Sequence, residues 1–195
     1  FPSVESVGPK VSGELIWTAI MAMVAASFGI MVYIWLRFEW QYALGAVLAL
    51  IHDIFITIGM FALFQIKFDL TIIAALLAIL GYSINDTVVV FDRLRENLIK
   101  YKLMPLRDVM NLSVNETLSR TLMTSFTTLI ALIAMLIFGG DVIRGFTFAI
   151  AFGVILGTYS SVFVAKNIVL LIGLDRGDKP KTDTRGGNEF AHIDA

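Results

Sequence analysis

Residues 15–36 read LIWTAIMAMVAASFGIMVYIWL, a run of 22 positions without a charged side chain. Glu14 precedes this run and Arg37 follows it. A helix needs about 20 predominantly apolar residues to cross the hydrocarbon core of a bilayer. The run therefore predicts a transmembrane helix, with Trp17 and Trp35 near its two ends as interfacial anchors.

Four further apolar runs of similar length follow, at residues 42–66, 70–90, 121–140 and 145–172. Strands that face lipid need a closed barrel and alternating segments of about ten residues, a pattern these runs lack. Each run is therefore predicted to be a helix. The predicted fold class is an all-α membrane protein built as a bundle of five transmembrane helices.

The composition limits the classes of function. Of 195 residues, 57% are apolar and 16% are charged, whereas a soluble domain carries roughly a quarter charged residues. Much of the surface is therefore predicted to contact the lipid bilayer. The net charge of −1 and the lack of cysteine indicate no nucleic-acid partner and no thiol chemistry. No nucleophile is arranged with a base, and no second histidine stands at ligand spacing, so we expect no enzymatic activity, metal site or other cofactor.

The orientation follows from the lysines and arginines, which are enriched on the cytoplasmic side of membrane proteins. Eleven of them fall on one side of the predicted spans and three on the other, with Lys166 inside the last span. This bias predicts a periplasmic opening segment at residues 1–14 and a cytoplasmic, disordered tail at 173–195. Residues 91–119 are expected to form a helical elbow at the cytoplasmic surface. Because the chain begins with Phe1 rather than methionine, we expect it to be the later part of a longer chain.

Small residues recur every fourth position along the last span. They are Ala149, Gly153, Gly157, Ser161 and Ala165. This spacing places them along one helix face, and small residues allow close helix approach in lipid. We expect this face to pack inside the bundle or against a partner subunit.

Asp86 is the residue whose presence most needs an explanation. A carboxylate at membrane depth costs about 2.5–3.5 kcal/mol on insertion scales and persists when it is paired, protonated or hydrated. Arg120 begins the next span on the same side of the membrane, so the two side chains are predicted to meet. Both a proton-responsive ion pair and a permanent salt bridge fit this pattern. Supporting residues are expected to be Tyr82, Asn85 and Thr124.

Asp53 lies near the middle of the second span and is a further candidate for the proton path. His52 precedes it, but adjacent residues on a helix point about 100° apart, so we expect no facing pair. His52 is interpreted as a hydrogen-bonded histidine in the interior or at the lipid edge.

Residues 81–97, GYSINDTVVVFDRLREN, resemble the signature segment of the SecF branch of the SecD/SecF protein-export family. Shorter matches follow the family's order along the chain. They are VGPKVS at 7–12, His52 and Asp53, RTL at 120–122, FGG at 138–140 and GTYSS at 157–161. The likeness covers about residues 7–174.

The resemblance implies a subunit of the bacterial inner membrane with the architecture of the resistance-nodulation-division superfamily. Such a subunit works with SecD and the SecYEG channel, and with YajC and YidC, and uses the proton motive force to move a translocating polypeptide outward. In the family, the signature aspartate and the arginine that opens the next span act in proton transport; the matching positions are Asp86 and Arg120. SecF has six spans and an external domain, and five spans match here.

Two other functions remain compatible with the residues. One is a scaffold that braces SecD and SecYEG without transducing energy, in which the buried charges are static. The other is a proton-coupled exporter of small molecules or lipids from the same superfamily.

Overall fold

A computed structural model describes residues 9–66 and 69–174, and within these ranges the regular structure is entirely helical. The helices are α1 (Pro9–Arg37), α2 (Trp40–Leu63), α3 (Leu70–Lys100), α4 (Leu106–Phe138), α5 (Asp141–Tyr159) and α6 (Lys166–Ile172). A π-helical segment, Ser160–Ala165, joins α5 to α6 without a break. Five membrane-length apolar helices result, with α5, the π-helical segment and α6 counted as one. The predicted fold class is confirmed.

The elbow predicted at residues 91–119 is not a separate element. α3 continues to Lys100, and α4 begins at Leu106. Helical hydrogen bonding does not depend on hydropathy, and the first helix breaker after residue 90 is Pro105. The two helices therefore extend past the apolar runs and reverse at residues 101–105. Most of the predicted opening segment (1–8) and tail (175–195) lie outside the described residues.

The local sequence explains where α2 ends and where α3 begins. Asp69 caps α3, because its carboxylate accepts hydrogen bonds from the backbone N–H groups of Thr71 at 2.9 Å and Ile72 at 3.1 Å. α2 ends at Leu63 rather than at residue 66, and Gln65 turns the chain with a positive φ of 53°. These short links keep neighbouring helices antiparallel.

α3 lies centrally and packs against every other long helix. Near the inner end predicted from charge, a cluster joins α1, α2, α3, α4 and α6. It includes Ile34, Tyr42, Phe91, Val109 and Val169, all nearly fully buried. Near the other end, Phe61, Ile72 and Ala149 join α2, α3 and α5. The outward faces of α1 and α4 expose large apolar side chains such as Phe28 and Phe126. The chain is therefore a multi-pass membrane protein.

Candidate functional site

Asp86 lies in the interior of the bundle, on α3. The residue is 3% exposed, and its Oδ2 atom has no hydrogen-bond partner within residues 9–66 and 69–174. A buried acceptor without a partner costs free energy, and a charged one costs more. Ionisation of the Asp86 carboxyl group within the helix bundle is therefore costly in free energy.

Polar contacts between α3, α4 and α5 lie one turn from Asp86. The Tyr82 hydroxyl donates to Ser125 Oγ at 3.2 Å, and Ser125 Oγ lies 2.6 Å from Thr158 Oγ1. One turn beyond Asp86 in the other direction, Val90 packs against Val114 on α4. These contacts bracket Asp86 and set it level with the region of α4 around Arg120.

Arg120 lies at the expected depth but does not form an ion pair with Asp86. Among the described residues, no salt bridge joins the two side chains. Arg120 is exposed and lines an open groove of about 480 Å³, together with Arg37, Asp92, Arg93 and Glu116 among others. Its charge interacts with the Asp86 carboxyl group across the intervening gap. In this conformation the guanidinium is thus held at the groove rather than in the interior.

The groove beside Arg120 has its own ion pairs, and among the described residues none of them includes Arg120. Arg37 Nη2 lies 2.9 Å from Asp92 Oδ1, and Arg93 Nε lies 2.6 Å from Glu116 Oε2. Asn97 Nδ2 donates to the same Glu116 oxygen at 2.7 Å. These contacts occupy the carboxylates that line the groove beside Arg120.

The other residues predicted to support Asp86 occupy different environments. Tyr82 shares the Asp86 face, one turn away, as described above. Asn85 is exposed on another face of α3. The Thr124 hydroxyl donates to the backbone carbonyl of Arg120 at 2.9 Å, so its proton is used within α4. Their participation in a proton path stays a prediction.

Asp53 forms a second buried acidic site, and its carboxylate is well supplied with partners. The residue is fully buried, and the Ser83 hydroxyl donates to its Oδ2 atom at 2.8 Å. His52 Nδ1 lies 3.0 Å from Oδ1. The expectation that His52 and Asp53 do not form a pair is wrong. Their side chains turn toward each other from adjacent positions, which a comparison of Cα–Cβ directions alone misses.

The π-helical segment extends this polar cluster. Ser161 Oγ donates to the backbone carbonyl of Ser83 at 3.2 Å and lies 2.9 Å from Thr87 Oγ1. Ser160 Oγ lies 3.4 Å from the Ala49 carbonyl oxygen on α2. Two consecutive serines thus contact two different helices: Ser160 contacts α2 and Ser161 contacts α3. From its spacing Ser161 is predicted only to pack between helices, and no site role is predicted for Ser83, Thr87 or Ser160, although hydroxyls within apolar spans were the available signal.

The stripe of small residues packs inside the bundle. A Cβ atom on Gly153 would lie 2.3 Å from Ile79 Cγ1, and one on Gly157 would lie 3.1 Å from Ser83 Cβ. The backbone of α5 therefore approaches α3 as closely as glycine permits. This close contact holds the π-helical serines against the residues around Asp53.

The sequence model described as "Protein export membrane protein SecD/SecF, C-terminal" matches residues 1–175. The chain belongs to the SecD/SecF family. It is 76% identical to the protein translocase subunit SecF of Cereibacter sphaeroides, and the match covers all of this chain and 60% of that protein. The SecF subunit of Rickettsia akari is 47% identical over 88% of this chain and 56% of that protein. The family resemblance identified from the sequence is confirmed.

Solved SecDF structures have the same arrangement of helices. One, from Thermus thermophilus, matches with a TM-score of 0.80 and 44% identity over 85% of this chain and 23% of that one. Another, in a "Super-membrane-facing form", matches with a TM-score of 0.77 and 42% identity over 85% of this chain and 22% of that one. The chain thus spans 60% or less of the proteins it resembles.

Proposed function

We propose that this chain is the proton-handling part of a SecF subunit that assists polypeptide export through SecYEG at the expense of the proton motive force. The observation that carries the proposal is the Asp86 carboxyl group, which is 3% exposed and has an unpartnered Oδ2. Family membership supports a role in protein export. A buried acid without a fixed partner favours a role in proton exchange over a purely structural role, because a structural role would require a permanent salt bridge between the helices.

The mechanism uses two arrangements of Asp86 and Arg120. With Asp86 protonated, the bundle interior holds no net charge at this position, and Arg120 stays in the groove. With Asp86 ionised, the carboxylate attracts the guanidinium inward and α3 and α4 repack. In this proposal the separated side chains belong to the first arrangement. One charge crossing 100 mV supplies about 2.3 kcal/mol, which matches the few kcal/mol that separate two conformations of a switching protein.

The partners in this proposal are SecD, SecYEG, YajC, YidC and the translocating polypeptide, with a proton gradient as the energy source and no bound cofactor. The bundle lies in the bacterial inner membrane. The positive-charge bias puts the carboxy-terminal tail and the 101–105 turn in the cytoplasm, and the opening segment in the periplasm. The groove around Arg120 then opens toward the cytoplasm, where a released proton leaves.

The test is proton flux and secretion in vesicles that contain the full-length subunit with SecD and SecYEG. We expect Asp86→Asn and, separately, Arg120→Met to abolish proton-gradient-stimulated secretion and the associated flux. Asp141→Asn, at an exposed carboxylate paired with Arg144, is the matched control and retains both. Unchanged flux in both site variants overturns the proposal. Secretion that needs the subunit but ignores an uncoupler indicates the scaffold, and flux without SecD indicates the exporter.

A further inference from the structure

His52 and Asp53 form a contact that the mechanism above does not use. We propose that these two residues together bind one exchangeable proton, and that Ser83 holds the Asp53 carboxylate in place for it. This site lies on the α2 side of α3, whereas Asp86 faces α4. The proposal concerns protonation of the pair itself, so it stands or fails independently of proton flux through Asp86 and Arg120.

His52 is the group beside Asp53 that can carry a compensating positive charge. Charged or titratable groups on the elements packed against α2 include Tyr33 and Arg37 on α1, Tyr82 and Asp86 on α3, Tyr159 on α5 and Lys166 at the start of α6; the π-helical segment has none. Within the described ranges, none of them forms a hydrogen bond or ion pair with Asp53. Ser83 supplies a dipole but no charge. The imidazole is therefore the group that balances an ionised Asp53.

The two members of the pair differ in their access to the exterior of the bundle. The Asp53 side chain is fully buried, whereas the His52 side chain is 32% exposed. Because Nδ1 faces Asp53 at 3.0 Å, the other ring nitrogen, Nε2, is the position from which a proton leaves. A proton reaches Asp53 through the histidine ring, and the carboxyl group stays shielded from solvent.

The proton balance defines two states. In the loaded state, either an imidazolium lies beside a carboxylate, or the Nδ1 proton has moved to Oδ1 and a neutral imidazole lies beside a carboxylic acid. Both forms have zero net charge. Loss of the Nε2 proton leaves a neutral imidazole that donates through Nδ1 to the carboxylate, with net charge −1. Binding and release of one proton thus switch the charge at this position between zero and −1.

This charge change acts on helix packing through Ser83. The unloaded carboxylate relies most on this hydroxyl donor, because charge-assisted hydrogen bonds are roughly twice as strong as neutral ones. Ser83 belongs to α3, so unloading strengthens the contact of α3 with α2. π-helical insertions are frequent at functional sites, and this insertion aligns Ser160 with α2 while Ser161 contacts α3.

The experiment is infrared difference spectroscopy of the full-length subunit with SecD in lipid bilayers, between about pH 5 and pH 8. We expect a protonated-carboxyl band that is absent in Asp53→Asn and present in Asp69→Asn. Asp69 is an exposed helix cap, and asparagine preserves its capping function. The Asp53 band and the histidine ring bands are expected to change with one common midpoint. Spectra that lose no protonated-carboxyl band in Asp53→Asn, or two unrelated midpoints, overturn the proposal.

Two further variants keep the test decisive if Asp53→Asn fails to fold. In His52→Gln the proton has lost one of its two acceptors, and in Ser83→Ala the carboxylate has lost a donor. Each variant is expected to move the midpoint of the carboxyl band by about one pH unit or more, the size of one hydrogen bond to a charged group. An unchanged midpoint in both variants contradicts a shared proton held by these residues.

Discussion

The Tyr82 hydroxyl donates to Ser125 Oγ at 3.2 Å and thereby joins α3 to α4 one turn from Asp86. Ser125 in turn contacts Thr158 on α5 at 2.6 Å. Three helices are thus linked through hydroxyl groups beside a buried carboxyl group. Interhelical hydrogen bonds of this kind hold a bundle together without fixing its charge, which leaves Asp86 able to change its protonation.

Tyr82→Phe removes the hydroxyl of this link and keeps the ring. We expect the free energy of unfolding to fall by about 0.6–1.7 kcal/mol, the measured range for hydrogen bonds between membrane helices. Thermal or denaturant unfolding in a fixed lipid or detergent mixture gives the value. Tyr159→Phe is the control, because that ring is exposed and keeps its contact with Phe163. Equal losses in the two variants would show that the Ser125 contact contributes nothing.

Gly153→Ala tests the close approach of α5 to α3. The new methyl group would lie 2.3, 2.4 and 2.8 Å from three side-chain atoms of Ile79. β-branched Ile79 has one strongly preferred rotamer in a helix and cannot turn aside. We expect a loss of about 1–3 kcal/mol in the free energy of unfolding, as for other overpacked cores.

Two further variants distinguish the steric clash in Gly153→Ala from the effect of alanine's helix propensity. Gly59→Ala adds a methyl group in open space and is expected to be neutral or stabilising by up to about 1 kcal/mol. Ile79→Ala combined with Gly153→Ala removes the clashing atoms, so the two losses are expected to be clearly non-additive. Additive losses would place the cause elsewhere than in this contact.

The five spans were predictable because each is a continuous apolar run, and such a run determines the existence of a membrane helix directly. The end of α3 at Lys100 and the start of α4 at Leu106 were not predictable in this way. Beyond residue 90 the sequence becomes amphipathic, and Phe91, Leu94 and Asn97 continue the buried face of α3. Hydropathy marks where lipid ends, whereas helix length depends on hydrogen bonding and on the next breaker.

The acidic sites were partly predictable. The cost of a carboxylate in lipid marks both Asp86 and Asp53 from the sequence alone. The partners of Asp53 depend on side-chain rotamers and on a π-helical insertion that shifts the register after Tyr159, and neither follows from residue spacing. Arg120 lies level with Asp86 but lines the open groove in this conformation, so equal depth was predictable from the sequence and contact was not.

Asn97→Ala tests the polar contact that closes the inner end of α3 and α4. Asn97 is 1% exposed, and its Nδ2 atom donates to Ser113 Oγ at 3.0 Å and to Glu116. We expect local opening of the 101–105 turn to become easier by about 1 kcal/mol, which is roughly a fivefold faster amide hydrogen exchange there. Asn115→Ala, at an exposed position of α4, is expected to leave the exchange rate unchanged. Equal rates in Asn97→Ala and the wild type would contradict a closing role.

The same chemical change at the two buried acids is expected to have opposite effects on stability. Asp86→Asn removes a potential charge from a carboxyl group whose Oδ2 lacks a partner while Arg120 lies in the groove, so in this arrangement the free energy of unfolding is expected to rise by about 1 kcal/mol. Asp53→Asn places an amide N–H group among the hydrogen-bond donors Ser83 and His52, and a loss of about 1–3 kcal/mol is expected. Unfolding of both variants in the same lipid mixture measures the contrast. Because functional residues are often retained at a cost in stability, Asp86→Asn should combine higher stability with lost secretion. A loss of stability in both variants would mean that Asp86 is a structural residue.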